Sequence, residues 1–250
     1  MGRGLWVSIL AAGAVAGAAM AAGVPANITA ALGDLKRPPA DSSRDLARKP
    51  AELLALAEVK PGQKVCDFMM GGGYFTRILS PAVGPKGHVY AYQAAEFVGF
   101  RAQYGTDQDK VVADYANVTP LRASLGSPGL PDGLDLVLTV QNYHDLHLKA
   151  FRPDTAEVIN QDVFKALKPG GLYVIVDHAA APGAPLSVAD SLHRIDEATV
   201  KKEVEAAGFK LVTEDDKLLA NPADPHDKLV FDASIRGKTD QFVLKFRKPK

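Results

Sequence analysis

Short apolar runs of strand length alternate with helix-compatible segments through the centre of this 250-residue chain. The strongest run is LDLVLTV, from Leu134 to Val140, which is almost continuously apolar. Such a run is typical of a strand that is buried on both faces of a parallel sheet. Repeated strand–helix alternation predicts a mostly parallel sheet with helices packed on both faces. The sequence therefore indicates an α/β fold.

Six further segments are predicted to be strands. They are KVCDF, HVYAY, NVTPLRA (the weakest), LYVIVD, FKLVTE and DQFVLKF. Amphipathic helices are predicted at 154–167 and 196–208, which begin at the capping residues Asp154 and Asp196, and another helical stretch near 94–104. Because ligands bind at the carboxyl ends of the strands in such sheets, the residues that follow each strand are candidates for a site.

The N-terminus has the layout of a secretory signal peptide. Arg3 precedes an apolar stretch rich in Ala and Gly, and small residues offer a cleavage site at Ala21, with a second candidate at Ala26. An uncleaved anchor helix is the alternative, since the apolar run is nearly long enough to span a bilayer. Its weak hydrophobicity favours cleavage. We therefore predict an exported protein, periplasmic or secreted, without stable membrane association after cleavage.

Three segments are expected on this basis: a signal peptide at 1–21, a flexible lead-in at 22–43 and one α/β domain at 44–250. The 29 basic and 29 acidic residues balance, which gives no electrostatic attraction to nucleic acid or anionic membrane. Cys66 is the only cysteine, so no internal disulfide can form. Its place in an apolar run predicts a buried strand residue. No oligomeric state follows from the sequence.

Four motifs occur in an order that resembles class I S-adenosylmethionine-dependent methyltransferases. They are VCDFMMGGGYF, GHVYAY, LDLVLTVQNYHD and LKPGGLYVIVDH. More narrowly, GGGYFTRILS, NYHD and HRID resemble a group of exported bacterial predicted methyltransferases. The resemblance covers about 44–250 and implies a Rossmann-like three-layer sandwich, with a seven-stranded sheet whose last strand is antiparallel. It also implies S-adenosylmethionine as the cofactor.

The resemblance implies a cofactor site that begins at the glycine loop. Asp67 ends the first predicted strand, and Gly71, Gly72 and Gly73 would let the backbone approach the cofactor without Cβ clashes. Met69 stands where the family often has its first glycine. The alternative is a strand-to-helix turn that binds no ligand. A nicotinamide-binding loop fits less well, because the third small residue of that fingerprint is missing.

Four residues beyond the loop complete the implied cofactor site. Gln93 stands where the family usually has an acid that binds both ribose hydroxyls, and Glu96, three residues on, is a substitute. Ser124 lies where an acid often meets the adenine amine. Asn142 follows the strongest strand and is expected to face the cofactor's methyl group. The loss of an acid at position 93 implies weaker cofactor binding.

The segment after the strongest strand carries the candidate catalytic residues. Methyl transfer is an in-line displacement, in which the protein aligns the reacting atoms and a base takes the acceptor's proton. His144 beside Asp145 suits a general base. His193 is a further candidate, because its Gly- and Pro-bearing loop could fold over the site. The alternative for His144 and Asp145 is that they cap the next helix or fix the loop.

Three residues are predicted to contact the substrate, namely Tyr143, His178 and Arg194. For Arg194 a structural ion pair is the alternative. No metal site is predicted, since the segment NPADPHDK lacks metal-ligand spacing. The predicted function is methyl transfer to an unidentified small molecule. An exported binding protein that keeps the fold without catalysis is the alternative, because two cofactor positions depart from the family pattern.

Overall fold

The computed structural model describes residues 23–250, so the predicted signal peptide at 1–21 lies outside the described residues. The helices are α1 (Ala26–Leu32), α2 (Pro39–Ser42), α3 (Asp45–Arg48), α4 (Pro50–Leu56), α5 (Thr76–Val83), α6 (Ala95–Phe100), α7 (Gln103–Asp114), α8 (Thr155–Ala166), α9 (Val188–Leu192) and α10 (Glu197–Ala206). The strands are β1 (Lys64–Phe68), β2 (His88–Ala94), β3 (Val118–Ala123), β4 (Leu134–Val140), β5 (Leu167–His178), β6 (Lys210–Asp215) and β7 (Gln241–Arg247). A short 3-10 helix, His144–His147, follows β4.

The strands form one seven-stranded sheet in the order β3-β2-β1-β4-β5-β7-β6. The pairs among β1 to β5 are parallel, whereas β7 runs antiparallel to both β5 and β6. The predicted sheet, mostly parallel with an antiparallel last strand, is confirmed. Strand order reverses between β1 and β4, and a reversal of this kind opens a crevice at the carboxyl ends of the two strands.

The sheet is covered on both faces because successive strand residues point to opposite sides. In β4, Leu136 and Leu138 belong to a core cluster that also holds residues of α1, α4 and α5. Val137 belongs to a second core cluster with residues of α8 and α10. This double burial explains the continuous apolar run of β4. Cys66 is buried in the second cluster, as predicted, and burial raises the pKa of its thiol.

The segment expected at 22–43 as a flexible lead-in contains packed helices in its described part, from residue 23 onward. α1 packs on α5 and buries Ile28 completely. The side-chain amide of Asn27 donates to the carbonyls of Val59 and Ala82, at 3.2 and 3.1 Å. Asp41 of α2 is also buried and pairs with two arginines. The Pro and Asp residues that suggested disorder begin a helix and neutralise cations instead, so the packed domain starts before residue 44.

Local helix predictions have mixed outcomes. Asp196 caps α10, because its carboxylate accepts from the backbone N–H of Ala198 at 3.4 Å. Asp154 occupies the N-cap position of α8, but its carboxylate pairs with Arg152 and makes no cap bond. The single helical stretch expected near 94–104 is divided between α6 and α7. Within residues 23–250, no helix is long and apolar enough to cross a membrane.

Replacing Ile28 tests whether the lead-in belongs to the folded domain. We expect Ile28→Ala to lower the free energy of unfolding by about 2–5 kcal/mol, through lost burial and the cavity left behind. Leu35→Ala in the same segment is the matched control, because Leu35 is 98% exposed and its loss should cost less than about 0.5 kcal/mol. Urea denaturation of both variants measures the difference, and equally small losses would contradict the packing of α1.

Candidate functional site

The glycine loop joins β1 to α5 at the carboxyl edge of the sheet. Gly71 and Gly73 have left-handed backbones, with φ of 55° and 82°, which glycine adopts without strain. A Cβ at Gly73 would lie 2.5 Å from Cγ2 of Val111, so this position has room only for glycine. A Cβ at Gly71 would meet no atom within 4 Å, so its backbone borders open space. The carbonyl of Gly72 accepts from the Arg77 guanidinium at 2.9 Å, which fixes the loop.

Met69, in the position of the missing glycine, has a left-handed backbone with φ of 59°. This conformation is strained for a residue with a Cβ. Its side chain is buried in the second core cluster, and its carbonyl accepts from the side-chain amide of Asn142 at 3.0 Å. Gln141, the first residue after β4, is also left-handed, with φ of 63°. Two strained residues therefore end the adjacent strands β1 and β4.

Asp67 is buried beneath the glycine loop. Its Oδ2 accepts from Oγ1 of Thr76 at 2.5 Å, which ties the end of β1 to the start of α5. Burial raises the pKa of Asp67 to about 6, although the hydrogen bonds from Thr76 and the charge of Arg48 oppose the rise. The carboxyl is thus fixed at the end of β1, where it lines a cavity.

The two residues expected at the ribose hydroxyls make hydrogen bonds inside the protein. Oε1 of the buried Gln93 accepts from the backbone N–H of Gly71 at 3.0 Å. Oε1 of Glu96 accepts from Oγ of Ser124 at 2.6 Å and from the N–H of Leu125 at 3.1 Å. Gln93 therefore orders the glycine loop and Glu96 orders the turn after β3. The side-chain oxygens of both residues have further lone pairs, but these internal bonds fix the orientation of the two side chains.

A cavity of about 140 Å³ lies between the ends of β1 and β4. Arg48 donates to Oε1 of Gln141 at 2.7 Å, and its guanidinium lies 4.7 Å from the ring centroid of Tyr74. Arg44 stacks on the same ring at 4.9 Å. Residues that line the cavity include Arg44, Arg48, Asp67, Met69, Gly71 and Asn142. A larger cavity, of about 300 Å³ against α8 and α10, contains none of the predicted site residues.

A histidine cluster lies beyond the ends of β4 and β5. Nδ1 of His144 lies 2.8 Å from Oδ1 of Asp177, and the backbone N–H of His144 donates to Oδ2 of the same carboxylate at 2.7 Å. Nε2 of His144 lies 3.3 Å from Nδ1 of His193 and 3.4 Å from Oδ1 of Asp145. The last two atoms are 3.8 Å apart. The structure thus brings together all three predicted catalytic residues, His144, Asp145 and His193.

The buried charges of this cluster shift the ionisation of its members. Burial opposes the protonated form of His144, but the Asp177 carboxylate outweighs it and raises the pKa of the imidazole. Burial likewise opposes the charged form of Asp177, yet the nearby His144 lowers its pKa. Burial lowers the pKa of His178 to about 4 despite the opposing charge of Asp177. His144 and Asp177 therefore form a strongly coupled pair, with a neutral His178 beside them.

Arg194 is fully buried and has no access to a substrate. Its guanidinium pairs with Asp224 at 2.9 Å and donates to the carbonyls of Ala179 and Lys228, at 2.8 and 3.0 Å. The structure therefore supports the ion-pair alternative and corrects the predicted substrate contact. Because the next residue back is His193, this buried pair holds the histidine-bearing loop against the end of β5.

The other two predicted substrate residues differ in their positions. Tyr143 is buried, and its hydroxyl donates to Oε2 of Glu203 at 2.9 Å, so it fixes the segment after β4 against α10. This corrects the prediction that Tyr143 contacts the substrate. His178 stays beside the histidine cluster, with its ring centroid 6.0 Å from that of His144. Its Nδ1 bonds Oγ1 of Thr239 at 2.7 Å.

Several site residues were not predicted from the sequence. Arg44 is the N-cap residue of α3 and Arg48 ends that helix, and nothing in their local pattern indicates that they line a cavity. Gln141 and Asp177 stand at the carboxyl ends of β4 and β5, so the rule for strand ends finds both. Asp224 lies in a segment without regular structure, and only the tertiary contact with the buried arginine identifies it.

The chain resembles known methyltransferases over part of its length, although no protein-family model matches it. A protein-L-isoaspartate O-methyltransferase of Methanosarcina mazei is 31% identical over 126 residues, which are 50% of this chain and 43% of that protein. The ubiquinone/menaquinone biosynthesis C-methyltransferase UbiE of Ectopseudomonas mendocina is 28% identical over 194 residues, which are 77% of this chain and 65% of that protein. The chain therefore spans less than two thirds of either relative.

A solved structure extends the likeness to nearly the whole chain. A SAM-dependent methyltransferase from Aquifex aeolicus aligns with a TM-score of 0.60 and 20% identity, over 88% of this chain and 97% of that chain. At this identity the likeness establishes the fold alone. The predicted Rossmann-like three-layer sandwich is confirmed.

The raised pKa of Asp67 makes the stability of the ligand-free protein depend on pH. Between the ordinary value of 3.8 and the folded value of about 6, the folded state binds more protons than the unfolded state. The contribution of Asp67 to the free energy of unfolding therefore falls as the pH rises. This contribution is fully present below pH 3.8 and is lost above about pH 6. Asp67→Asn removes the titrating group but keeps an oxygen that can accept from Thr76.

We expect the parent protein to lose about 2 kcal/mol relative to Asp67→Asn as the pH rises from about 4 to about 7. Urea denaturation of both proteins at a series of pH values, without ligand, measures this difference. If the difference in unfolding free energy between the two proteins stays constant across the series, folding does not raise the pKa of Asp67.

Proposed function

We propose that this protein is an S-adenosylmethionine-dependent methyltransferase that acts on a small molecule. The observation that carries the proposal is the cavity between β1 and β4, where a glycine loop, a buried carboxyl and a guanidinium meet. Similarity to two methyltransferases supports it. Because the chain spans only part of those proteins, and their names state different activities, the acceptor is not assigned from them.

The residues of the cavity fit the aminoacyl part of the cofactor, which carries an ammonium and a carboxylate. Asp67 supplies a buried carboxyl, and Arg48 supplies a guanidinium whose pKa is lowered by burial. Hydrogen bonds between charged groups are roughly twice as strong as neutral ones. Asp67 would therefore hold the ammonium and Arg48 the carboxylate. The open space beside Gly71 would let the backbone approach without a steric clash.

The fit to the ribose is weaker. Gln93 brings no charge, and its carbonyl oxygen already accepts from the glycine loop. Glu96 keeps its charge but already accepts two hydrogen bonds from the turn after β3. A hydrogen bond to a charged group is worth about 1.5–3 kcal/mol against about 1 kcal/mol for a neutral one. We expect cofactor affinity below that of methyltransferases with an acid at this position.

The histidine cluster is the group of residues that would handle the acceptor's proton. S-adenosylmethionine supplies an electrophilic methyl group, and an oxygen or nitrogen acceptor loses a proton as it gains that group. The contact with Asp177 assigns the imidazole proton of His144 to Nδ1, so Nε2 is left as an acceptor. Nε2 points toward Asp145 and His193, which would position the acceptor atom.

We infer that the mature protein is exported, because its N-terminus has the layout of a signal peptide. Since the methyl donor is made in the cytosol, it would have to be supplied outside. This requirement favours a second candidate function, an exported binding protein that keeps the fold without catalysis. The internal hydrogen bonds of Gln93 and Glu96 support this second candidate function. The convergence of His144, Asp145 and His193 favours catalysis.

Calorimetric titration of the purified protein with S-adenosylmethionine and S-adenosylhomocysteine tests the proposal. We expect one site for each ligand, and we expect Gly71→Val to abolish binding because its side chain would fill the space that the cofactor needs. Gly129→Val is the matched control: Gly129 has a φ of 59° and equally open surroundings, but it lies outside the cavity. The control should carry the same backbone strain and keep the parent affinity.

The outcomes separate the two functions. If neither ligand gives a heat of binding at millimolar concentration, the methyltransferase proposal is overturned. The exported binding protein without catalysis is then the remaining function. Equal loss of binding in the two glycine variants would show that backbone strain, rather than occupation of the cavity, explains the effect. Arg48→Met should weaken binding by at least tenfold if the guanidinium holds the carboxylate.

A further inference from the structure

The histidine cluster has the composition of a metal centre. Nε2 of His144, Nδ1 of His193 and a carboxylate oxygen of Asp145 all lie within 4.8 Å of one another. Among residues 23–250, this is the one group of three or more potential ligands that converge in this way. His144 and Asp145 are buried and His193 is partly exposed, so the cluster borders solvent on the side of His193.

Two of the three separations between the ligand atoms match the edges of a coordination tetrahedron. Zinc bonds of about 2.0–2.1 Å to imidazole and carboxylate imply ligand–ligand distances of about 3.3–3.4 Å in tetrahedral geometry. The two distances from Nε2 of His144 are 3.3 and 3.4 Å. The third distance, 3.8 Å between His193 and Asp145, needs the carboxylate to move by a few tenths of an ångström. Octahedral geometry would need shorter edges, about 2.9–3.0 Å at these bond lengths.

Asp177 supplies the partner that a metal-bound histidine needs. Metal-binding histidines donate their other ring N–H to a carboxylate or carbonyl, which fixes the tautomer and turns the lone pair to the metal. Oδ1 of Asp177 lies 2.8 Å from Nδ1 of His144, and Oδ2 accepts from the backbone N–H of the same residue. The lone pair of Nε2 is thereby directed at the other two ligand atoms.

The loop that carries His193 is held in place before any ligand arrives. His193 has a left-handed backbone, with φ of 52° and ψ of 51°, which is strained for a residue with a Cβ. The buried ion pair of Arg194 with Asp224 fixes the next residue, and Ile195 donates to the carbonyl of His178 at 3.0 Å. Strain that is maintained by such contacts is a feature of functional sites.

We propose that His144, Asp145 and His193 bind one divalent transition-metal ion, with zinc the best fit to their geometry, and that the fourth position is open to water or to a donor atom of a substrate. Two imidazoles and one carboxylate suit zinc, and three protein ligands with one open position are typical of catalytic zinc sites. This goes beyond the proposed function, because metal binding requires no S-adenosylmethionine. A bound ion would occupy the Nε2 lone pair of His144, so the metal-bound protein could not use that atom to accept the proton of a methyl acceptor. The sequence prediction of no metal site considered each segment alone, and the ligands come from two segments 49 residues apart.

A metal-free alternative accounts for the same contacts. Nδ1 of His193 could donate a hydrogen bond to Nε2 of His144 at 3.3 Å. The ring centroids are 5.4 Å apart and nearly perpendicular, which suits either a hydrogen bond or two ligands on one ion. The two arrangements differ in stoichiometric metal affinity, so a binding measurement decides between them.

The experiment is a metal titration of the purified, untagged protein after removal of metals with a chelator. We expect one Zn²⁺ per chain by competition with a chromophoric indicator. We also expect Co²⁺ to give the intense visible absorption of a tetrahedral site. His193→Ala should weaken both ions by at least 100-fold, and Asp145→Asn should weaken them as well. His193 is chosen first because its side chain is 27% exposed, so its loss should not unfold the protein.

Two further variants separate a metal site from a structural role. His88→Ala is the matched control, since His88 is a partly buried histidine on β2 that bonds Thr119 outside the cluster. It should bind both ions as the parent does. Asp177→Asn should lower metal affinity by about 10–100-fold and shift the Co²⁺ spectrum, which a residue important only for folding would not do.

The proposal is overturned if the parent binds less than one metal ion per chain. It is also overturned if His193→Ala and His88→Ala bind metal equally well. Because the titration contains no cofactor, its outcome is independent of the methyltransferase proposal. Metal binding without S-adenosylmethionine binding would support the metal site and overturn the proposed function. Binding of S-adenosylmethionine without metal binding would support the proposed function and overturn the metal site.

Discussion

The parallel pairing of β1 with β4 is the constraint on which both candidate sites depend. Its register places Phe68 opposite Thr139, so the two strands leave the sheet side by side at its carboxyl edge. Because strand order reverses at this pair, the neighbouring strands lead away on opposite sides and leave a crevice. The cavity occupies the crevice. The 3-10 helix that begins at His144 starts four residues after the last residue of β4. One pairing therefore sets the positions of the glycine loop and of the histidine cluster.

Strained backbone conformations occur at both candidate sites. Between residues 23 and 250, six non-glycine residues have left-handed backbones, and three of them, Met69, Gln141 and His193, lie at the two candidate sites. Each costs on the order of 1–3 kcal/mol and persists only where surrounding contacts fix it. The Asn142 hydrogen bond to the Met69 carbonyl and the ion pair of the buried Arg194 are such contacts. The contact with Asn142 therefore helps to keep Met69 in the left-handed conformation that a glycine would adopt without strain.

The fold could be predicted because burial on both faces of the sheet gives each central strand a continuous apolar run. The glycine loop and His144 could be predicted as site residues because they lie just after strands. The rest depended on tertiary contacts. Nothing local distinguishes His193, which faces the cluster, from Arg194, which is fully buried, since the bonds to Asp224 and β5 decide which side chain turns inward. The lead-in looked disordered because its burial against α5 involves isolated residues such as Ile28 without a long periodic pattern.

The two candidate sites differ in how far the protein satisfies its own polar groups. At the glycine loop, Gln93 accepts from the Gly71 N–H, which avoids the cost of about 1–3 kcal/mol for a buried group without a partner. That bond orders the loop in the free protein and occupies the Gly71 N–H, so a ligand that accepts from this N–H must replace the bond. At the histidine cluster, Asp145 and Asp177 place two buried carboxylates beside His144. Their negative charge favours a cation at the cluster, where the three ligand atoms lie close to one another.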